Sequence, residues 1–165
     1  MAKRTNHYDV AFERFLRLLR RPYVAVDETR RALYRDSSLK SMDFVVYSES
    51  STNLLIDVKG RRFPQRSCSW ENWTMEDDIE SLLEWERVFG TGFRSMLVFA
   101  YEVQTPREME YHPITWEFKR RRYAFYGVWT QDYAESMKTR SRSWQTVNLN
   151  ANDYRKLRQP ILSVL

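Results

Sequence analysis

Apolar residues recur at helical spacing in Phe12, Phe15, Leu16 and Leu19, which predicts a helix over 8–21 that Pro22 terminates. Residues 23–26 form a short apolar strand candidate, and 27–35 is polar and basic, a loop or a short helix. Residues 43–47 and 53–59 read as strands separated by a polar turn at 48–52. The stretch 60–73 is irregular and basic. Thr74 is a good N-cap, with Glu76, Asp77 and Asp78 behind it in a first turn whose dipole favours acids. Ile79, Leu82, Leu83 and Trp85 or Val88 then form a stripe that ends at Gly90. Residues 96–101 are apolar enough for a buried central strand; 123–129 reads as another strand, and 131–138 and 150–158 as short helices. No repeat, linker or low-complexity segment interrupts the pattern. One α/β domain over 1–165 follows, a mixed central sheet flanked by helices.

Composition narrows the chemistry. At 165 residues and 20.1 kDa, with 42% hydrophobic and 30% charged residues, the chain can bury roughly two thirds of its unfolded surface. No apolar run approaches the ~18 residues of a membrane span. Met1-Ala2-Lys3-Arg4-Thr5-Asn6 has no apolar stretch behind its charges, so a soluble, cytoplasmic protein is expected. The single cysteine, Cys68, forbids an internal disulfide and suits a reducing compartment. Two histidines and one cysteine are too few for a structural zinc site, which takes about four such ligands. His7 near the terminus and His112 before Pro113 are poor candidates for imidazole catalysis. Catalysis, if present, runs on carboxylates, lysine and a hard cation held through oxygen.

Charge points to a partner. The net charge is +5, and the 27 basic residues divide into 21 Arg and 6 Lys. Guanidinium binds phosphate in a bidentate way, so the skew favours a polyanion. The basic residues also cluster, at Arg14/Arg17/Arg20/Arg21, Arg30/Arg31/Arg35, Lys59/Arg61/Arg62/Arg66, 119–122 and Lys138/Arg140/Arg142. Together the clusters point to nucleic acid, with Arg30, Arg31, Lys40, Arg61, Arg62 and Arg66 as candidate phosphate contacts.

The informative segment is Ser41-Met42-Asp43-Phe44-Val45-Val46-Tyr47, a turn, and Leu54-Leu55-Ile56-Asp57-Val58-Lys59. Alternation along a strand puts Asp57 and Lys59 on one face and Val58 on the other. If the turn closes a hairpin, Asp43 pairs close to Asp57–Lys59, its Cβ ~5 Å from its partner's in a same-face register. Carboxylates so placed at the end of apolar strands repel, and a divalent cation relieves the repulsion. The lysine beside them can steer or deprotonate an attacking water, while the cation stabilises charge on phosphorus oxygens. Glu13, on the flank of the first helix's stripe, is a third candidate acid, with pairing to Arg17 as its bland alternative.

Glu13 on an opening helix, Asp43 on one strand and Asp57-Val58-Lys59 on the next resemble the PD-(D/E)XK, restriction-endonuclease-like nuclease superfamily. In layout they are most similar to its Holliday-junction-resolvase branch. The resemblance covers about residues 8–62 and continues through the helix after Thr74 and the strand at Met96. It implies an αβββαβ core within about 8–130 and a C-terminal extension over 131–165. It also implies Mg²⁺ (or Mn²⁺) held by Asp43, Asp57 and the Val58 carbonyl, with Glu13 acting directly or through water and Lys59 as the catalytic lysine. The activity implied is metal-dependent hydrolysis of DNA phosphodiesters, on branched, repair or recombination substrates, leaving 5′-phosphate and 3′-hydroxyl ends. Cutting two strands would call for a symmetric homodimer. Met42 stands where the pattern has proline and Asp57 where glutamate is commoner. The rivals are a catalytically silent nucleic-acid-binding protein on the same fold and a basic protein–protein adaptor.

Other features carry less. Glu117-Phe118-Lys119 repeats the acid-x-Lys spacing, but with no acid-led apolar strand before it, and reads as a decoy. Glu28 beside Arg30 and Arg31 is an alternative first acid, whereas Glu71 and the Glu76/Asp77/Asp78 group fit helix-start chemistry better than ligation. Trp70, Trp73, Tyr111, Trp116, Trp129 and Trp144 can stack on bases, though most such rings fill core. Gly90-Thr91-Gly92 follows a helix rather than opening one, which makes it a C-cap and turn and not a phosphate loop.

Overall fold

Helix α1 spans His7–Leu18 in the computed structural model, which describes residues 6–27, 29–49, 52–64 and 69–165. The Asn6 side chain caps it by accepting from Tyr8 N, and Ala11, Phe12, Phe15 and Leu16 form its buried face. The helix stops short of residue 21 because Arg20 turns left-handed at φ 54°, folding the Arg20 and Arg21 N–H groups onto the carbonyls of Arg17 and Leu16. Strand β1 (Tyr23–Ala25) follows. The loop or short helix expected over 27–35 gives way instead to a hairpin, β2 (Ala32–Tyr34) with β3 (Ser37–Leu39), closed by Arg35 at φ 54°. Strand pattern is faint there because the hairpin packs little: Leu33 is 88% exposed.

Strands β4 (Phe44–Val46) and β5 (Asn53–Arg62) form the expected antiparallel pair. β5 runs past Lys59 into the stretch expected to be irregular, because its parallel partner β7 (Phe93–Val103) continues alongside as far as Arg62↔Glu102. Between them lie β6 (Thr74–Met75) and helix α2 (Glu76–Phe89). Thr74 is therefore not the N-cap; it is paired in a strand. The carboxylate of Asp78 closes the helix start instead, accepting from Met75 N at 3.2 Å and Thr74 Oγ1 at 2.8 Å. Gly90, at φ 78°, ends α2 as expected.

The chain continues through α3 (Pro106–Met109), β8 (Trp116–Phe118), β9 (Arg121–Trp129), α4 (Thr130–Ser136), β10 (Lys138–Ser141), β11 (Thr146–Asn148), α5 (Ala151–Leu157), β12 (Gln159–Pro160) and a 3₁₀ turn at Ile161–Ser163. Among the described residues the main sheet has the order β1-β4-β5-β7-β9-β12, with β8 also paired to β9, and only β5–β7 is parallel. α1, β1, β4, β5, α2 and β7 give the expected αβββαβ succession around a mixed sheet.

The two faces of β5 meet different cores. Leu54, Ile56 and Val58 pack beneath α1 with Phe12, Phe15, Phe44 and Phe125. Leu55 packs on the other side with Ile79 and Leu82 of α2, Leu97 and Phe99 of β7, and Tyr133 and Tyr154. The polar tips of the second core are tied down, as buried hydroxyls require. Tyr101 Oη lies 2.7 Å from Tyr154 Oη and donates to the Glu71 carbonyl, and Tyr133 donates to the Asn72 carbonyl. Among the described residues no helix is long and apolar enough to cross a membrane.

Candidate active site

β4 pairs with β5 only as far as Phe44↔Ile56. Beyond that row the edge of β5 meets the Asp43 side chain in place of a strand. Asp43 is 2% exposed, and its Oδ2 accepts from Val58 N at 2.6 Å. The Val58 carbonyl leaves the strand on the same edge as its N–H. Asp57 and Lys59 share the α2 face by alternation, and Lys59 Nζ lies 2.8 Å from Asp57 Oδ2. One acid from the start of β4 and an acid and a lysine from β5 therefore surround the Asp57–Val58 peptide.

The helix opposite adds a residue that sequence reasoning had assigned to capping alone. Asp78, in the first turn of α2, accepts from Lys59 Nζ at 2.8 Å through Oδ2 and from Lys40 Nζ at 2.8 Å through Oδ1. Burial alone raises a carboxyl pKa, but the two ammonium groups more than offset it and pull Asp78 down to about 2. Lys59 shows the mirror image. Burial works against its charge, yet Asp57 and Asp78 hold it above an ordinary lysine. It is thus firmly cationic, suited to steering water and holding phosphate oxygens rather than to accepting a proton. The first-turn acids were explained by the helix dipole in the sequence, which hid the second role of Asp78.

Glu13 lies apart from this group. α1 covers the opposite face of the sheet, and Glu13 Oε1 accepts from Arg17 Nη2 at 3.0 Å and from Tyr23 Oη at 2.7 Å. Asp9, buried one turn earlier, is the acid of α1 at the Lys59 end of β5, where the Tyr8 ring lies against Gly60. Among the described residues no three His, Cys, Asp or Glu side chains gather as a ready metal cage. The donors at hand are two carboxylates and a backbone carbonyl, all hard oxygens. That set suits Mg²⁺ or Mn²⁺, which keep several waters and take substrate phosphate as a further ligand.

The expected phosphate contacts spread around this centre. Lys40 and Arg31 both reach Asp77, Lys40 at 3.5 Å and Arg31 at 3.3 Å, and the Lys40 carbonyl accepts from Trp85 Nε1. Arg30 pairs with Asp27 at the surface. Arg61, two residues past Lys59, donates to the Trp73 carbonyl and lies 4.0 Å from the Trp73 ring centre, while Arg62 bonds Gln104. Glu28 and Arg66 lie outside the described residues. Glu117-Phe118-Lys119 does contain a strand, β8, contrary to expectation. Its Lys119 nevertheless falls in a left-handed turn and Glu117 pairs with Arg122, so the motif closes an edge hairpin.

No family model and no curated protein matches the chain. Among solved structures it is similar to Hjc, a Holliday junction resolvase from the archaeal hyperthermophile Archaeoglobus fulgidus. The match covers 96% of this chain and 97% of that one at 17% sequence identity, with a TM-score of 0.58. At that identity the likeness is one of fold. The fold is the one that the acid-x-Lys strand and its neighbours led the sequence to expect.

Proposed function

We propose that the protein is a divalent-metal-dependent nuclease that cuts DNA, with branched molecules as its substrates. The observation that carries this reading is that Asp43 bonds the Val58 N–H while Asp57 and Lys59, on either side of Val58, form an ion pair, on a fold shared with a junction resolvase.

Asp43, Asp57 and the Val58 carbonyl would hold Mg²⁺ or Mn²⁺. Such an ion, when bound, would supply Lewis acidity toward a phosphodiester. Asp43 keeps its carboxylate in place through the Val58 N–H. Asp78 keeps Lys59 charged and aimed at the centre, where the ammonium orients the attacking water and offsets charge on the phosphate oxygens. Arg61, Arg62, Arg31, Lys40 and the exposed Arg30 would hold the flanking backbone, making binding steeply salt-dependent. Incision of two strands would need two such centres, hence a second copy of the chain.

Plasmid nicking tests the reading. The native protein is expected to nick supercoiled DNA with Mg²⁺ or Mn²⁺ and to stop when the metal is chelated, and Asp57→Asn and Lys59→Ala to be inactive. Nicking indifferent to both substitutions would exclude this centre. DNA binding without nicking would favour a silent binding protein on the same fold.

A further inference from the structure

The hairpin formed by β10 and β11 takes no part in the chemistry above, yet the fold fastens it to that centre. Val147 and Thr146 of β11 pair with Thr74 and Met75 of β6, directly before the helix turn that carries Asp78. The hairpin's Gln145 carbonyl accepts from Glu76 N at the start of α2. On the other strand the ladder shifts register between Thr139 and Ser141, a bulge that re-aims Arg140. Its guanidinium lies 5.1 Å from the Trp73 ring centre, which Arg61 also covers at 4.0 Å. A cationic track thus runs from Lys59 through Arg61 and Arg140 into the hairpin.

The hairpin is built for an anion. Residues 137–149 contain Lys138, Arg140 and Arg142 and no acid. Among the described residues none of the three forms an ion pair. At the tip, Trp144 is 74% exposed, the most open tryptophan of the described residues. Its turn is ordered by local bonds: Trp144 N and Ser143 Oγ contact Ser141 Oγ, Gln145 N donates to the Arg142 carbonyl, and Gln145 takes φ 49°. A large indole held in water at the end of a basic strand has little to gain from the fold itself. Beside unpaired nucleotides it has much to gain, since every base offers a face to stack on.

Resting on the nuclease reading, we propose that the β10–β11 hairpin binds an unpaired stretch of the same DNA whose phosphate lies at the Asp57/Lys59 centre. Lys138, Arg140 and Arg142 track its backbone, and Trp144 stacks on a base. The hairpin thereby selects forked or branched molecules over continuous duplex.

The test is equilibrium binding in chelator, without cleavage. The probes are a fluorescein-labelled forked DNA with single-stranded arms, the same fork with abasic arms, and a blunt duplex. Trp144→Ala is expected to weaken binding to the fork on the order of tenfold, with Trp144→Phe close to native, because base–aromatic stacking is lost and then restored. The abasic fork and the duplex should bind native protein and Trp144→Ala alike, and an unchanged thermal midpoint checks that the exposed substitution leaves the fold intact. Native-like fork binding by Trp144→Ala, or an equal loss on fork and duplex, would overturn the proposal. Nicking that requires Asp57, with fork binding indifferent to Trp144, would remove the hairpin's role alone. Trp144-dependent fork binding with no cutting in any metal would remove the nuclease alone.

Discussion

Lys59 shows how one residue's environment sets its role. Alternation along β5 made its side of the strand readable from the sequence, because Leu55, Asp57 and Lys59 recur at period two. Its second partner was not readable. Asp78 lies nineteen positions away in a helix start, where an acid needs no explanation beyond the dipole. His112 is a second case of burial deciding chemistry. Its ring packs edge-on against Phe63 and its Nδ1 meets Tyr126 Oη at 2.8 Å. Its Nε2 is buried without a partner among the described residues. Burial first, and then the Arg158 charge, lower its pKa from 6.5 to about 4. Between those values the unfolded chain binds more protons than the folded one, so stability rises with pH through that window. Acidifying from pH 7 to pH 4 is expected to remove on the order of 2 kcal/mol through this group, after allowance for solvent screening. His112→Phe should flatten that part of the profile in urea titrations, and an unchanged profile would show that His112 titrates normally.

At the level of elements, the approach of α1 to the sheet hangs on a missing side chain. A Cβ at Gly60 would stand 2.1 Å from the Tyr8 ring, so the helix's first turn lies directly on the strand that carries Asp57 and Lys59. Gly60→Ala is expected to push Tyr8 and the start of α1 outward at a cost of about 1–3 kcal/mol, read from denaturant midpoints. A midpoint within ~0.5 kcal/mol of native would mean that the ring moves aside freely. The elements with strong apolar periodicity were legible: α1, α2, β4, β7 and β9. Those with few buried positions were not, as in the β2–β3 hairpin, where Leu33 is exposed and Leu39 alone of the paired residues is buried. The ends set by tertiary partners were also hidden. β5 reaches Arg62 because β7 runs beside it, and Thr74 is drawn into a strand by Val147.

For the whole molecule, a net charge of +5 carried mainly by arginine foretold a polyanion but not its geometry. The sheet supplies that geometry. Its strand β5 and the separate β10–β11 hairpin bring Lys59, Arg61 and Arg140 to one side of the molecule through Trp73, while Glu13 pairs with Arg17 on the other. The αβββαβ core was legible because each of its parts is long or strongly apolar. The shape of the cationic face was not, since it depends on a bulge and on a hairpin that pairs with a two-residue strand. The most direct test of the hydrolytic centre is single-turnover cleavage of a labelled four-way DNA junction with Mg²⁺, native protein against Asp57→Asn, after both are shown to bind the junction equally in chelator. Native protein should cut and the variant should be slower by on the order of a hundredfold or more. Equal rates, or tight binding by the native protein with no cleavage in Mg²⁺ or Mn²⁺, would contradict a hydrolytic role for Asp43, Asp57 and Lys59.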